Sequence, residues 1–150
     1  MLHPHTPLHR RTCLASFGAA AVGVLHTAPA LSAPDLHSHA ELQARGLPTH
    51  GVEVTLPPLA DNSNAIPLQF TLQAPAGKQL LGLEIIAPEN PNRVILRLKL
   101  GQAPTRFKFS TRIRLAMTQE VWVLAHLNDG SSLGRATHTV VTATACFDET

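Results

Sequence analysis

From Gly51 onward, apolar and polar positions alternate along the chain. Val52, Val54 and Leu56 are separated by Glu53 and Thr55, and "AIPLQFTLQA" places Ile66, Leu68, Phe70 and Leu72 on every second position. A period of two sends successive side chains to opposite faces of an extended strand, leaving one face apolar and one wet. "LLGLEIIA" and "VILRLKL" are apolar runs, "TRFKFSTRIRLAM" alternates apolar with basic residues, and "EVWVLAHL" and "ATHTVVTATA" complete the series. Turn-forming residues separate these runs: Pro57-Pro58, Pro75-Ala76-Gly77, Pro88 to Asn92, Gly101 to Pro104, and Asn128 to Ser131. About seven short strands in about 100 residues predict an all-β, immunoglobulin-like antiparallel β-sandwich over residues 51–145. Asp129-Gly130 predicts a hairpin, because Gly accepts the positive φ of a tight turn. Trp122 sits in an apolar run and is expected in the core.

Before Gly51 the pattern is different. Residues 31–50 are rich in Pro and His and predict a mobile lead-in. Within it, Ser38-His39-Ala40-Glu41 has the spacing of a capping box, and Gly46 can stop a helix, so a short helix over about 39–45 is expected. His37-x-His39 could bind a metal weakly, but a solvated polar segment is the simpler reading, since no third ligand is fixed nearby.

The first residues contain Arg10-Arg11 and then a weakly hydrophobic, Ala- and Gly-rich run to about Leu25. A basic start, a short apolar stretch and small residues at Ala28-Pro29-Ala30 predict a signal peptide over 1–30. The paired arginines favour the twin-arginine route, cleavage after Ala30 and a periplasmic mature protein. No stable membrane anchor is expected, and Cys13 lacks the small residues that precede a lipid-modified cysteine.

Loss of that leader changes the charge and the thiol count. The chain of 150 residues has 12 Lys+Arg and 10 Asp+Glu. Removing Arg10 and Arg11 leaves the two signs equal, so basicity gives no argument for a nucleic-acid partner, and none is expected. Cys13 leaves too, and Cys146, near the chain end in residues 146–150, becomes the single cysteine of an exported protein. Such a thiol either pairs between chains or is a reactive group. Asp148, Glu149 and the terminal carboxylate lie close in sequence and disfavour the thiolate, so Cys146 is not self-activated. It suits a handle on which other proteins act.

The sequence contains no Gly-rich phosphate loop, nucleophile elbow or CxxC pair. His126 and His138 lie mid-strand, where either might serve Cys146 as a base, although a solvent-facing strand histidine is the commoner arrangement. Arg112 and Arg114 share one face of their run, as do Arg106 and Lys108, and Arg97 and Lys99. Neighbouring strands would merge them into a basic face able to guide an acidic partner, or simply into a wet sheet face with protected edges.

Together, "LADNSNAIPLQFTL", "APENPN", "FSTRIRLAMTQEVWVLAHLNDGS" and a cysteine after a Val/Thr/Ala strand resemble the SoxY family, the sulfur-carrier subunit of bacterial thiosulfate oxidation. The resemblance spans about residues 50–146. It implies no catalyst and no cofactor beyond a covalent sulfur adduct on Cys146. It implies a SoxZ-like subunit as partner in a heterodimer, and transient visits from SoxAX-, SoxB- and SoxCD-like enzymes. Two stretches depart from the family. Its Gly-Gly-Cys-Gly-Gly arm is replaced by Thr144-Ala145-Cys146-Phe147-Asp148, which is stiffer, and its Glu-Asn-Gly-Asn turn by Asp61-Asn62-Ser63-Asn64. A SoxY-like paralogue with another cargo, or a β-sandwich module joined through an interchain Cys146 disulfide, are the competing readings.

Overall fold

The computed structural model describes residues 37–143. One helix, α1 (His39–Ala44), precedes eight strands: β1 (Val52–Thr55), β2 (Leu59–Ala60), β3 (Ile66–Gln73), β4 (Leu80–Ile86), β5 (Val94–Lys99), β6 (Arg106–Ile113), β7 (Gln119–Leu127) and β8 (Ser132–Val141). They form two sheets, in the orders β1-β3-β6 and β2-β8-β7-β4-β5. This is the all-β sandwich that the alternating pattern predicts.

The pairing is antiparallel throughout except between β2 and β8, which run parallel, with Leu59 opposite Val140 and Ala60 opposite Val141. β2 is the strand that periodicity misses, because two residues carry no period. It exists because the chain leaves the smaller sheet after β1 and lies along the larger sheet's free edge.

The core lies between the sheets. β3 buries Ile66, Leu68, Phe70 and Leu72 and exposes the residues between them. These meet Leu83, Ile85, Val121, Val123 and Ala125 of the larger sheet. Phe70 is paired in register with Phe109, their rings 5.7 Å apart and tilted at 41°, a favourable edge-to-face-like contact. β7 and β8 form the predicted hairpin. Gly130 has φ +83°, and Asp129 accepts from the Ser131 amide and hydroxyl at 3.1 and 2.6 Å.

The central strands β4 and β7 of the larger sheet are buried on both faces, which explains why "EVWVLAHL" reads as continuously apolar. Its outer face holds a second cluster of Leu42, Ile86, Trp122 and Leu124, flanked by Leu47, Val94 and Ala136. Trp122 is therefore a buried core residue, as expected, in a second cluster beneath the lead-in and not between the two sheets. The lead-in from His37 to His50 is likewise packed and not loose, since Leu42 is fully buried. Ser38 caps α1 by accepting from the Glu41 amide at 3.3 Å, as the capping-box spacing predicts. At Gly134 an added Cβ would lie 2.7 Å from δ-methyls of both Leu124 and Leu47 and 3.2 Å from the Leu47 Cβ, so glycine gives the lead-in room to pack here without displacing them.

Two acidic side chains border that cluster. Glu84 binds Arg97 at 2.5 Å and has His37 and His126 each at 3.8 Å. Glu120 has His39 at 3.5 Å and stands opposite His138 in the β7–β8 ladder. His37 and His39 thus face different carboxylates. Among the described residues no group of three or more His, Cys, Asp or Glu is arranged to hold a metal ion.

Candidate functional site

Four separate stretches converge where β8 ends: the turn after β2, the loop between β4 and β5, the turn between β6 and β7, and Thr142. Asn90 is the hub. Its Nδ2 donates to the Arg114 carbonyl at 2.9 Å, and its Oδ1 accepts from the Ala116 amide at 2.8 Å and from Gln119 Nε2 at 2.9 Å. Gln119 Oε1 in turn accepts from the Glu89 amide at 3.0 Å. Both side chains are buried, so each bond replaces water that cannot reach them.

The Asp61-Asn62-Ser63-Asn64 turn closes on itself, with Asn62 Oδ1 accepting from the Asn64 amide at 3.0 Å. The buried Ser63 offers its carbonyl to the Leu115 amide at 3.0 Å, tying this turn to the end of β6. The end of β8 is held from both sides. The Val141 amide donates to Thr118 Oγ1 at 2.9 Å, and the Thr142 amide donates to the Ala60 carbonyl at 3.1 Å. Thr142 Oγ1 lies 3.3 Å from that carbonyl and 3.4 Å from Asp61 Oδ1. The chain that continues toward Cys146 therefore starts from a fixed point. Cys146 itself lies outside the described residues, as do the residues of the signal peptide.

The basic residues separate. Arg106, Lys108 and Arg112 form an exposed stripe on β6, the edge strand of the smaller sheet. Opposite them on β3 stand Gln73, Thr71 and Pro67. Among the described residues no carboxylate forms an ion pair with these three. Arg97 and Lys99 do not join the stripe, because β5 belongs to the other sheet and Arg97 is bound to Glu84. Arg114 leaves it as well. It stands one residue past the end of β6 and lines a cleft with Arg93 and Met117. Strand neighbourhood decides all three outcomes, and sequence spacing along one strand carries no information about it.

His126 is engaged away from the β8 end, its Nδ1 3.0 Å from Ser132 Oγ. His138 lines a small cleft with His39, Glu89, Gln119 and Glu120. The hub residues Asn90 and Gln119 are ones that sequence reasoning missed as site builders. Their only signal was membership of "APENPN" and of the "TQ" pair.

This architecture, a two-sheet sandwich whose turns lock the root of a C-terminal segment, matches a known family. A family model described as sulfur oxidation protein SoxY covers residues 40–146, and the chain belongs to that family. The structure of the sulfur carrier protein SoxY from Chlorobium limicola f thiosulfatophilum is similar in fold, with a TM-score of 0.57 and 19% identity. That match covers 71% of this chain and 100% of the other. A superoxide reductase (neelaredoxin) from Ignicoccus hospitalis aligns at a TM-score of 0.44 and 10% identity, over 70% of this chain and 94% of that one. No curated protein matches the sequence.

Proposed function

We propose that this protein is a periplasmic carrier that holds sulfur intermediates covalently on Cys146 during oxidation of thiosulfate or related reduced sulfur compounds. It works as one half of a SoxYZ-type heterodimer and is a substrate for partner enzymes, not a catalyst. The family match supports the carrier role, and its last residue is Cys146. The observation that carries the reading is the anchored root. Val141 and Thr142 are pinned to Thr118 and Ala60, so the segment leading to Cys146 starts from a fixed point on the sandwich. Four residues of extended chain span at most about 14 Å, enough to carry a sulfur atom from Thr142 into the cleft of a visiting enzyme.

The chemistry needs no base on this chain. In the loading step the Cys146 thiol and thiosulfate form a sulfur–sulfur bond, with loss of the thiol proton and two electrons to an external oxidant of the SoxAX-like class. A SoxB-like hydrolase then adds water to the terminal sulfonate, releasing sulfate and two protons and leaving a persulfide on Cys146. A SoxCD-like enzyme then removes six electrons from the outer persulfide sulfur to an external electron acceptor, while three waters supply oxygen and six protons leave, giving a sulfonate on Cys146. The export signal over 1–30, with cleavage after Ala30, puts the carrier in the compartment where these partners meet it.

Intact-mass measurement under non-reducing conditions tests this reading, on protein exported by cells oxidising thiosulfate. Sulfur-containing adducts on a chain of monomer mass, removed by reductant and absent from Cys146→Ser, are the expected result. A doubled mass with no adduct would instead make Cys146 an interchain disulfide residue.

A further inference from the structure

β6 is an outer strand of the smaller sheet, and among the described residues no other strand pairs with its far side. The ladder fixes which backbone groups face that side. Gln73 stands opposite Arg106, and one step further along the Ala74 amide donates to the Thr105 carbonyl at 2.7 Å. Bonded and unbonded pairs alternate in an antiparallel ladder. Phe107, Phe109, Thr111 and Ile113 therefore bond to β3, while Arg106, Lys108, Ser110 and Arg112 turn their N–H and C=O groups outward. Pro67, opposite Arg112, fits this phase, because an unbonded position needs no N–H. The outward Arg112 carbonyl has the Thr111 hydroxyl at 3.5 Å, beyond the ordinary length of a hydrogen bond.

The same residues carry the basic stripe. Arg106, Lys108 and Arg112 are exposed, and among the described residues no carboxylate pairs with them. Glu53, the acidic residue on that face, sits on β1, two strands from Lys108 with Thr71 between. The inner face of the edge is apolar and incompletely covered. Phe107 and Phe109 are half-buried, their rings stacked with centroids 6.0 Å apart, and Leu96 and Leu98 of β5 are half-buried too. β1 lies over β7 and β8, so β6, at the other end of its sheet, is on the β5 side of the sandwich.

We propose that β6 is a docking edge for an extended acidic segment of another protein, which adds to the smaller sheet as a fourth strand. Main-chain bonds to Arg106, Lys108, Ser110 and Arg112 hold the segment, and its alternate side chains give selectivity. Partner residues opposite the three cations share their face at a Cα separation of about 5.5 Å, where carboxylates meet them. The intervening partner residues stand beside Phe107 and Phe109 and are apolar. A segment of about seven residues, about 24 Å long, matches the edge. The stripe also selects against self-pairing, because a second copy of β6 would set cation against cation. The edge does not involve Cys146, so docking stands whether or not that thiol carries sulfur.

The test uses the full chain, with an acetylated and amidated peptide alternating Glu with Val as the probe. Binding at low salt is followed by amide shifts and hydrogen exchange. The expected result is saturable binding that slows exchange at the Lys108 and Ser110 amides, while Phe107 and Phe109, already bonded to β3, change little. Arg106→Gln with Lys108→Gln and Arg112→Gln should weaken binding at least tenfold, and rising salt should narrow that difference. N-methylation of the peptide's Glu amides keeps its charge but blocks main-chain pairing, and should abolish the protection. Ser110→Pro removes an outward N–H that the β3 ladder does not use, and should weaken binding at least tenfold. If that variant does not fold, the N-methylated peptide tests the same bond from the other side. The proposal is overturned if the peptide does not bind, or if protection falls on β1 or β5 instead. It is also overturned if the N-methylated peptide binds as well as the parent, which would leave a charged patch without strand addition. A dimer formed through β6 without peptide would overturn it too, by assigning the edge to a second copy. Adducts on Cys146 are read separately by mass, so failure of the docking edge and failure of the carrier role give different results.

Discussion

Gln119 Nε2 donates to Asn90 Oδ1 across 2.9 Å of buried space, joining the loop before β5 to the first residue of β7. That bond belongs to a set that satisfies the Ala116 amide and the Arg114 carbonyl as well. Asn90→Ala removes all three partners at once. Leaving buried polar groups unmet should cost about 2–3 kcal/mol, even though some recover water. Urea unfolding measures this, and a loss under half a kilocalorie would show that the hub is solvated.

The lead-in is held chiefly by Leu42. Leu42→Ala should destabilise the protein by about 2–3 kcal/mol, the usual range for a fully buried leucine. It should also shift Trp122 emission to the red, because the indole loses its cover. Destabilisation without a spectral change would mean that the helix is not what shields the Trp.

Gly134→Ala tests the same contact from the sheet side. The new Cβ would overlap Leu124 and Leu47, and overpacking of this kind costs about 1–3 kcal/mol. Combining it with Leu47→Ala should recover part of the loss, as read by thermal unfolding. No recovery would place the strain elsewhere.

Lys78 binds Asp129 at 2.6 Å, tying the loop before β4 to the β7–β8 turn. The Lys78 ammonium, and then the Ser131 hydroxyl and amide, hold the Asp129 carboxyl well below the usual carboxylate range. A depressed carboxyl stabilises the fold fully above its unfolded pKa, about 4, and that contribution fades as pH falls toward the lower folded value. Asp129→Asn should therefore lower stability at neutral pH and flatten its decline below pH 4. An unchanged acid limb in urea titrations would show that solvent screening removes the effect at this exposed site.

The β6 stripe concerns partners and not stability. Reversing Arg106, Lys108 and Arg112 to Glu should slow association with the proposed SoxZ-like subunit by tenfold or more at low salt, with the difference shrinking as salt rises. Stopped-flow association rates report this. A rate that is unchanged, with the heterodimer intact, would assign docking to another face and leave the stripe as edge protection.

The alternation of Ile66 to Leu72 and of Phe107 to Ile113 determined that this chain builds amphipathic strands, each with one apolar face that another layer must cover. Ser38 and Glu41 likewise determined α1, and the Asp129-Gly130 turn its hairpin, because caps and turns depend on a few adjacent residues. What only the tertiary structure decided involves residues far apart in sequence. Trp122 lies beneath Leu42, Arg97 belongs to Glu84 and not to Arg112, and Asn90 meets Gln119, because sheet order and loop convergence set these neighbours. Burial on both faces of β7 erased the period that would have revealed the lead-in's docking site. The physical reason is range: local backbone preferences are written in consecutive residues, whereas a site is a meeting of segments that only the folded sheets bring together.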